Sequence, residues 1–158
     1  TIGATMASTR SGQHLAWMLV NLLCRQFKVV QEIIFDVPDT PMLPNVAAYG
    51  ECSTLRNTLL ECARMVSGVH ILTSIHPAAS TADVTLHIGE QTETQERHWC
   101  LYADGWRYCI CTSDQVPKDV PKSSLTLGPY MCAAYAAGEV FKLFRGMISY
   151  WAGPMLNW

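Results

Sequence analysis

The first 36 residues constrain the fold more than any other part of the chain. Thr1–Gly3 is typical of the end of a strand, and Ala4–Gly12 of a loop. His14–Phe27 has the apolar character of a buried helix, and Lys28–Phe35 is a β-branched strand that is followed by Asp36. A strand, a loop, a helix and a second strand in this order indicate a nucleotide-binding unit of a parallel α/β fold.

In such a unit the loop holds phosphate at the helix N-terminus, and the acid after the second strand binds a ribose hydroxyl. Asp36 lies 24 residues beyond Gly12, close to the usual spacing of about 20 residues. The alternative is that the hydroxyls of the loop only cap the helix and that the acid only begins a turn. The sequence thus indicates these cofactor-binding residues: Gly3, Thr5, Ser8, Thr9, Arg10, Ser11, Gly12 and Asp36.

The next part of the chain continues to alternate between helix and strand. Ser53–Val66 has the apolar spacing of one helical face, with Ser53 or Thr54 as N-cap and Gly68 after its end. The segments 69–75 and 84–88 are short apolar strands. This alternation predicts a parallel sheet that is covered by helices on both faces.

A hairpin and a final helix follow. The strands His98–Tyr102 and Arg107–Cys111 flank Asp104-Gly105, the preferred pair for a two-residue type I′ turn. Gly128-Pro129 then begins a helix that runs to about residue 144, with the proline in the first helical position. The predicted fold class is therefore α/β: one domain over 1–158, a Rossmann-like three-layer sandwich whose mostly parallel sheet carries an antiparallel hairpin at about 98–111.

A turn at Asp104-Gly105 would place Cys100 opposite Cys109 and His98 opposite Cys111. Three thiols and an imidazole on one face are an alternative zinc ligand set, and Cys100 and Cys109 are an alternative disulfide pair. No C-x-x-C spacing occurs among the seven cysteines, so reduced, buried thiols are the preferred interpretation and no metal is favoured.

The composition restricts the partners. Charged residues make up only 15% of the chain, against about 25% in an average soluble domain, and the segment 148–158 is too apolar for a free tail. We therefore expect a fragment of a longer chain or one half of a homodimer. A net charge of −2 without a basic run gives no reason to expect nucleic acid, and no apolar run is long enough for a membrane span. With no visible signal peptide, a cytoplasmic location is expected.

Two motifs indicate a family resemblance, the hairpin Tyr102–Trp106 (YADGW) and the helix Leu127–Lys142 (LGPYMCAAYAAGEVFK). With the opening unit they resemble the ThiF/MoeB/HesA adenylyltransferases, relatives of ubiquitin-activating enzymes, and within that group the divergent bacterial ThiF-like domains of larger proteins. The resemblance implies a dimer that binds ATP and magnesium and adenylates the C-terminal glycine of a ubiquitin-like or sulfur-carrier protein. It also implies that Gly3 and the loop 4–12 hold phosphate, with Arg10 as a substitute phosphate ligand.

The chain departs from that family pattern at the groups that would contact the triphosphate. The glycine-rich loop retains only Gly3 and Gly12, no Asn-x-x-Arg-Gln motif follows Asp36, and no lysine lies between Lys28 and Lys118. The paired C-x-x-C motifs are also missing. The leading expectation is therefore a ThiF-like scaffold or partner-binding subdomain with a degenerate nucleotide loop, and no catalytic residue is assigned. The alternatives are an ATP-dependent adenylyltransferase and an NAD-binding oxidoreductase domain.

Overall fold

The computed structural model describes residues 1–68, 70–75, 82–89, 98–111 and 115–147. Within these ranges the chain has a mixed α/β fold. In chain order the elements are α1 (Ala4–Ala7), α2 (Arg10–Cys24), β1 (Glu32–Phe35), α3 (Leu55–Ser67), β2 (Leu72–Ile75), β3 (Thr85–Ile88), β4 (His98–Asp104), β5 (Arg107–Cys111) and α4 (Leu127–Phe144).

The strands form one small parallel sheet and one mixed sheet. β1 pairs with β2 in parallel, as the sequence predicts, with Phe35 opposite Ile75. β3 pairs in parallel with β4, and β4 pairs in antiparallel fashion with β5. The segment 1–3 links the two sheets at one end, because the Ile2 N–H donates to the Asp36 carbonyl (3.1 Å) and the Gly3 N–H to the Ile88 carbonyl (3.0 Å).

The core is built around α2, which packs against both α3 and α4. Leu15 is fully buried in the centre of this helix, and α4 approaches it through the buried small residues Ala133 and Ala137. Small side chains allow close packing of helices against each other and against the sheet. None of the helices in the described ranges is both long and apolar enough to cross a membrane.

The predicted boundaries of the opening unit are partly wrong. The expected loop Ala4–Gly12 contains α1 and the first residues of α2, so α2 begins at Arg10 instead of His14. α2 ends at Cys24 instead of Phe27, and β1 begins at Glu32 instead of Lys28. Between them, the N–H groups of residues 29 and 30 both donate to the carbonyl of residue 26 (2.7 and 2.8 Å), which forms a turn where a strand was expected.

The hairpin forms over 98–111 as predicted, but its turn lies one residue later. Asp104 pairs with Arg107, so Gly105 and Trp106 are the two turn residues. Gly105 has φ +64°, and Trp106 is not among the residues with positive φ. A positive φ at the first turn position alone is the pattern of a type II′ turn, not of type I′.

The other helix predictions agree closely with the structure. The Thr54 hydroxyl accepts the N-cap hydrogen bond of α3 from the Asn57 N–H (3.4 Å), and Gly68 follows α3 with φ +59°. Gly146, two residues beyond the end of α4, has φ +64°. Pro129 differs from expectation, because it is in the third helical position instead of the first. The expected polar connection 91–97 and the apolar segment 148–158 lie outside the described residues.

Candidate functional site

The structure brings the two ends of the predicted nucleotide site together. Gly3 directly follows Ile2, which pairs with Ile88. The Ile2 N–H also donates to the Asp36 carbonyl. The phosphate-loop position and the ribose-acid position therefore lie at the same edge of the sheet, beyond the carboxyl ends of parallel strands. In open α/β sheets this edge is where ligands bind.

The N-terminus of α2 is capped by its own chain. The Thr9 hydroxyl accepts a hydrogen bond from the Gly12 N–H (3.0 Å) and donates to the Met6 carbonyl (2.9 Å). The Thr9 carbonyl accepts the hydrogen bond of the Gln13 N–H (3.0 Å). An N-cap side chain satisfies an amide that would otherwise be available to a phosphate. The alternative of a capping loop, drawn from the sequence, thus describes Thr9 correctly.

Gly12 allows α1 to lie directly against α2. A Cβ atom at this position would lie 2.1 Å from the Met6 carbonyl oxygen and 2.7 Å from the Met6 carbonyl carbon. Both atoms belong to the backbone, so no side-chain movement could make room for it. Gly12 therefore brings one backbone close to another, whereas in a phosphate loop a glycine brings the backbone close to the ligand.

Gln13 cross-links the two loops of the site and is not among the residues that the sequence indicates. Its fully buried side chain donates to the carbonyls of Ala7 and Pro41 (2.9 Å each), and its carbonyl oxygen accepts from the Leu43 N–H (2.8 Å). The bonds tie the α1 turn to the segment that follows β1. The only signal in the sequence is an amide residue at the start of an otherwise apolar helix.

The remaining loop residues differ in their partners and in their exposure. The Arg10 guanidinium donates to the Pro44 carbonyl (3.1 Å), and the Ser8 hydroxyl to the Ala4 carbonyl (3.0 Å). Thr5 is exposed, and its carbonyl accepts a hydrogen bond from the Ser8 N–H (3.3 Å). Ser11 is buried, and its hydroxyl has no hydrogen-bond partner among the described residues.

Asp36 differs from the loop because it is exposed. The backbone beside it is fixed by Arg56, whose guanidinium donates twice to the Val37 carbonyl (2.8 and 2.6 Å). The acid could therefore still contact a hydroxyl group. Among the groups expected to hold phosphate, the side chains of Ser8, Thr9 and Arg10 are, by contrast, hydrogen-bonded within the protein.

The histidine at the start of α2 also has a structural position. His14 is buried, and its Nδ1 atom lies 3.1 Å from the Tyr130 hydroxyl, with the two rings edge to face at 5.5 Å. Burial, together with the Arg10 guanidinium, lowers the pKa of His14. A neutral imidazole beside α4 suits packing between two helices better than binding of an anion.

The cysteines of the hairpin cluster as expected, but with different partners. Cys100 lies opposite Cys111 and Tyr102 opposite Cys109, which corrects the predicted Cys100–Cys109 and His98–Cys111 pairs. The Sγ atoms of Cys109 and Cys111 are 3.7 Å apart, and the Cys132 thiol donates to the Cys109 carbonyl (3.6 Å). All seven cysteines are free thiols, and the described residues contain no group of three or more ligands that could hold a metal ion.

Burial raises the pKa of the Cys100 and Cys132 thiols. The hydrogen bond between Cys109 and Cys111 raises the pKa of Cys111 and lowers that of Cys109. All four thiols are buried, so the cluster is part of the core between the hairpin and α4.

Among the described residues from the hairpin turn onward, large apolar side chains are exposed in two places. One surrounds the hairpin turn and α4, where Trp106 is 72% exposed and Met131 and Tyr135 are also exposed. The other lies at the end of α4, where Phe144 and Met147 are exposed. Exposed large apolar side chains in groups are typical of surfaces that contact other proteins.

Comparison with known proteins gives one family. A family model described as the BilD N-terminal domain matches residues 1–154. No curated protein matches the chain.

Proposed function

The chain belongs to the BilD N-terminal domain family, and we propose that it is a ThiF-like, Rossmann-type domain that serves as a scaffold for a protein partner. In this proposal its nucleotide loop is degenerate, and the domain is part of a longer chain or of a homodimer. The closed loop at the start of α2 is the observation on which the proposal chiefly rests.

The order of the strands supports a Rossmann-type fold. If the segment 1–3 is counted as a strand, hydrogen bonds connect the strands in the order β2, β1, 1–3, β3, β4, β5. Numbered along the chain, this is 3-2-1-4-5-6, the order of a dinucleotide-binding sheet, with the last strand antiparallel. The predicted site then lies at the point where the strand order reverses.

Contact between the two resemblance motifs supports the ThiF-like assignment. Gly128, at the start of α4, donates its N–H to the carbonyl of Gly105 in the hairpin turn (2.8 Å). A Cβ atom on Gly128 would lie 2.6 Å from that carbonyl oxygen and 2.7 Å from the Arg107 carbonyl oxygen. The motifs YADGW and LGPY are therefore one packed unit, which gives a physical reason for their occurrence together.

The closed loop favours a scaffold function and not a nucleotide-dependent enzyme. A triphosphate at this position would have to displace the Thr9 cap, the Arg10–Pro44 contact and the three hydrogen bonds of Gln13. Along the sequence, no lysine precedes Lys28 and none lies between Lys28 and Lys118 to balance phosphate charge. With free thiols throughout, we place the protein in the cytoplasm, where thiols stay reduced.

Calorimetric titration of the chain with ATP–magnesium and with NAD tests the loss of nucleotide binding. We expect no binding of either ligand at a Kd below about 10 μM, which corresponds to about 7 kcal/mol. If ATP binds more tightly than this, and if Arg10→Ala and Asp36→Ala both weaken its binding, the scaffold proposal is wrong. The chain would then be an adenylyltransferase acting on a ubiquitin-like or sulfur-carrier protein. Arg64→Ala, an exposed arginine paired with Glu61 on α3, is the control. Tight binding of NAD would favour the oxidoreductase alternative.

Light scattering tests the partner surface. We expect the chain to form dimers or larger particles, and the double substitution Phe144→Ser and Met147→Ser to shift it toward monomer. Met65→Ser is the matched control, because Met65 on α3 is 53% exposed and Met147 is 56% exposed. A monomeric chain, or equal behaviour of both variants, would contradict a partner at the end of α4.

A further inference from the structure

The helix α4 is apolar on two opposite sides. Its inner side packs against α2 and the hairpin and includes these buried residues: Cys132, Ala133, Ala136, Ala137 and Val140. Its two charged residues, Glu139 and Lys142, form an ion pair (2.6 Å), so the helix carries no net charge. A helix that is apolar all round is typically buried all round. The outer side of α4 is exposed, so we expect it to contact a partner.

The outer side has a heptad spacing that is symmetric along the helix. Its residues follow one another at intervals of four, three, four, three and four positions, and each is exposed except a half-buried glycine. They form the outer seam of α4 and are Leu127, Met131, Ala134, Gly138, Phe141 and Arg145. Alternating intervals of three and four are the spacing of helices that pack along a common seam. Ala134 and Gly138 are small and lie in the middle. The large Met131 and Phe141 flank them, and all of these pairs are centred on position 136.

This symmetry fits a second copy of the same helix. If two α4 helices pack antiparallel about a twofold axis at position 136, Met131 of each copy faces Phe141 of the other. Ala134 likewise faces Gly138, where an added Cβ atom would meet no atom within 4 Å. The two backbones can therefore approach to about 8 Å at the centre, while the large side chains close the contact on both sides. The two copies of Arg145 would lie at opposite ends of the pair, about 27 Å apart, so no like charges meet.

The exposed apolar area is sufficient for a weak dimer. The large apolar residues of the seam are 39–40% exposed, Tyr135 beside them is 44% exposed, and Trp106 in the adjoining hairpin turn is 72% exposed. A large side chain offers about 150–250 Å² in full, so these side chains together offer roughly 500 Å² per copy. A symmetric pair would bury roughly 1,000 Å² in total, which is about the lower bound for a specific interface. Interfaces of this size belong to weak, reversible complexes.

We propose that the outer seam of α4 is the centre of a homodimer interface, in which two copies of the helix pack antiparallel about a twofold axis at position 136. The inference rests on the homodimer included in the proposed function, and it adds the contact face and the direction of the helices. Phe144 and Met147 follow the seam along the chain and would lie at the rim of this interface. Loss of their side chains should therefore weaken the dimer, whereas a charge at the centre should abolish it.

Sedimentation equilibrium of the chain over about 1–300 μM tests the interface. The variant Gly138→Glu places two like charges at the centre of the pair, and its side chain projects into open space, so each copy keeps its fold. Gly138→Ala is the matched control, because it keeps the centre small. Ala134→Lys is a second charged variant, and it is measured alone and in an equimolar mixture with Gly138→Glu. In an antiparallel pair the lysine of one chain faces the glutamate of the other. Circular dichroism checks that all variants are folded.

We expect Gly138→Glu and Ala134→Lys each to raise the Kd of the dimer by at least about tenfold, and their mixture to dimerise within about threefold of the unaltered chain. Gly138→Ala should leave the Kd unchanged. If the unaltered chain and Gly138→Glu dimerise equally, the interface lies elsewhere, so the inference is wrong while the proposed function stands. If the mixture is as monomeric as its two components, the antiparallel arrangement is wrong. A chain that stays monomeric over the whole range overturns both this inference and the homodimer of the proposed function.

Discussion

Replacing Gly12 by alanine tests whether the loop before α2 is closed by backbone contact. The added Cβ atom would lie 2.1 Å from the Met6 carbonyl oxygen, so α1 or the start of α2 has to move. Overpacking of this kind costs about 1–3 kcal/mol. Movement of α1 also disturbs the Thr9 hydroxyl that caps the Gly12 N–H, and loss of an N-cap costs about 1 kcal/mol. The better helix propensity of alanine returns about 1 kcal/mol.

The net loss in free energy of unfolding is therefore about 1–3 kcal/mol, or a decrease in melting temperature of about 3–10 °C for a chain of this size. Gly138→Ala is the matched control, because Gly138 is also helical and its added Cβ atom would meet no atom within 4 Å. That variant should gain about 0.5–1 kcal/mol from helix propensity. Urea denaturation of both variants measures the difference. If Gly12→Ala is as stable as Gly138→Ala, the loop is open in solution and its amides are accessible to phosphate.

Two further predictions concern buried polar groups. Gln13→Ala should lower the free energy of unfolding by about 2–4 kcal/mol, since it leaves the Leu43 N–H and two carbonyls without partners, and should expose the segment 38–44 to protease. Gln13→Glu keeps an acceptor for the Leu43 N–H but turns an acceptor oxygen toward the Ala7 and Pro41 carbonyls, so it should lose at least as much. A change below about 0.5 kcal/mol for Gln13→Ala would contradict the cross-link. Burial raises the pKa of Cys24 to about 12 and that of Cys62 to about 11, from an ordinary value of 9.0. Because the thiols lose their protons at lower pH in the unfolded chain, these two groups should leave stability unaffected below pH 9 and lower it between pH 9 and pH 11, by up to about 1.4 kcal/mol per pH unit and thiol. Denaturation at each pH measures this decrease, and Cys24→Ala should make it less steep. An equal slope in both proteins would refute the raised pKa of Cys24.

The sequence predicted what depends on local signals. The period of the apolar residues located α3, and Thr54 and Gly68 located its ends, because capping residues act within a few positions of their own helix. The parallel pairing of β1 and β2 followed from the helix between them, since a parallel connection needs such a crossover.

The sequence could not predict what depends on distant partners. Asp104 was expected in the turn, but its carboxylate accepts hydrogen bonds from the N–H groups of Ser123 (2.8 Å) and Lys122 (3.2 Å), which hold it at the end of β4. These partners lie 19 and 18 positions along the chain, beyond any turn rule. The closure of the candidate site depended likewise on Gln13, whose partners include Pro41 and Leu43, 28 and 30 residues away.

The contact between Gly105 and Gly128 has a consequence for how the chain tolerates change in length. The start of α4 is positioned by the hairpin turn, and the Asp104 carboxylate fixes the approach at Ser123. The start of α4 is therefore held by contacts with the hairpin and not only by the chain that connects it to β5. Within that connection residues 117–120 are exposed, and the Asp119 carbonyl accepts a hydrogen bond from the Tyr102 hydroxyl (3.0 Å). This makes residues 117 and 118, which precede that anchor, the more suitable position for a fluorescent label or an inserted affinity peptide.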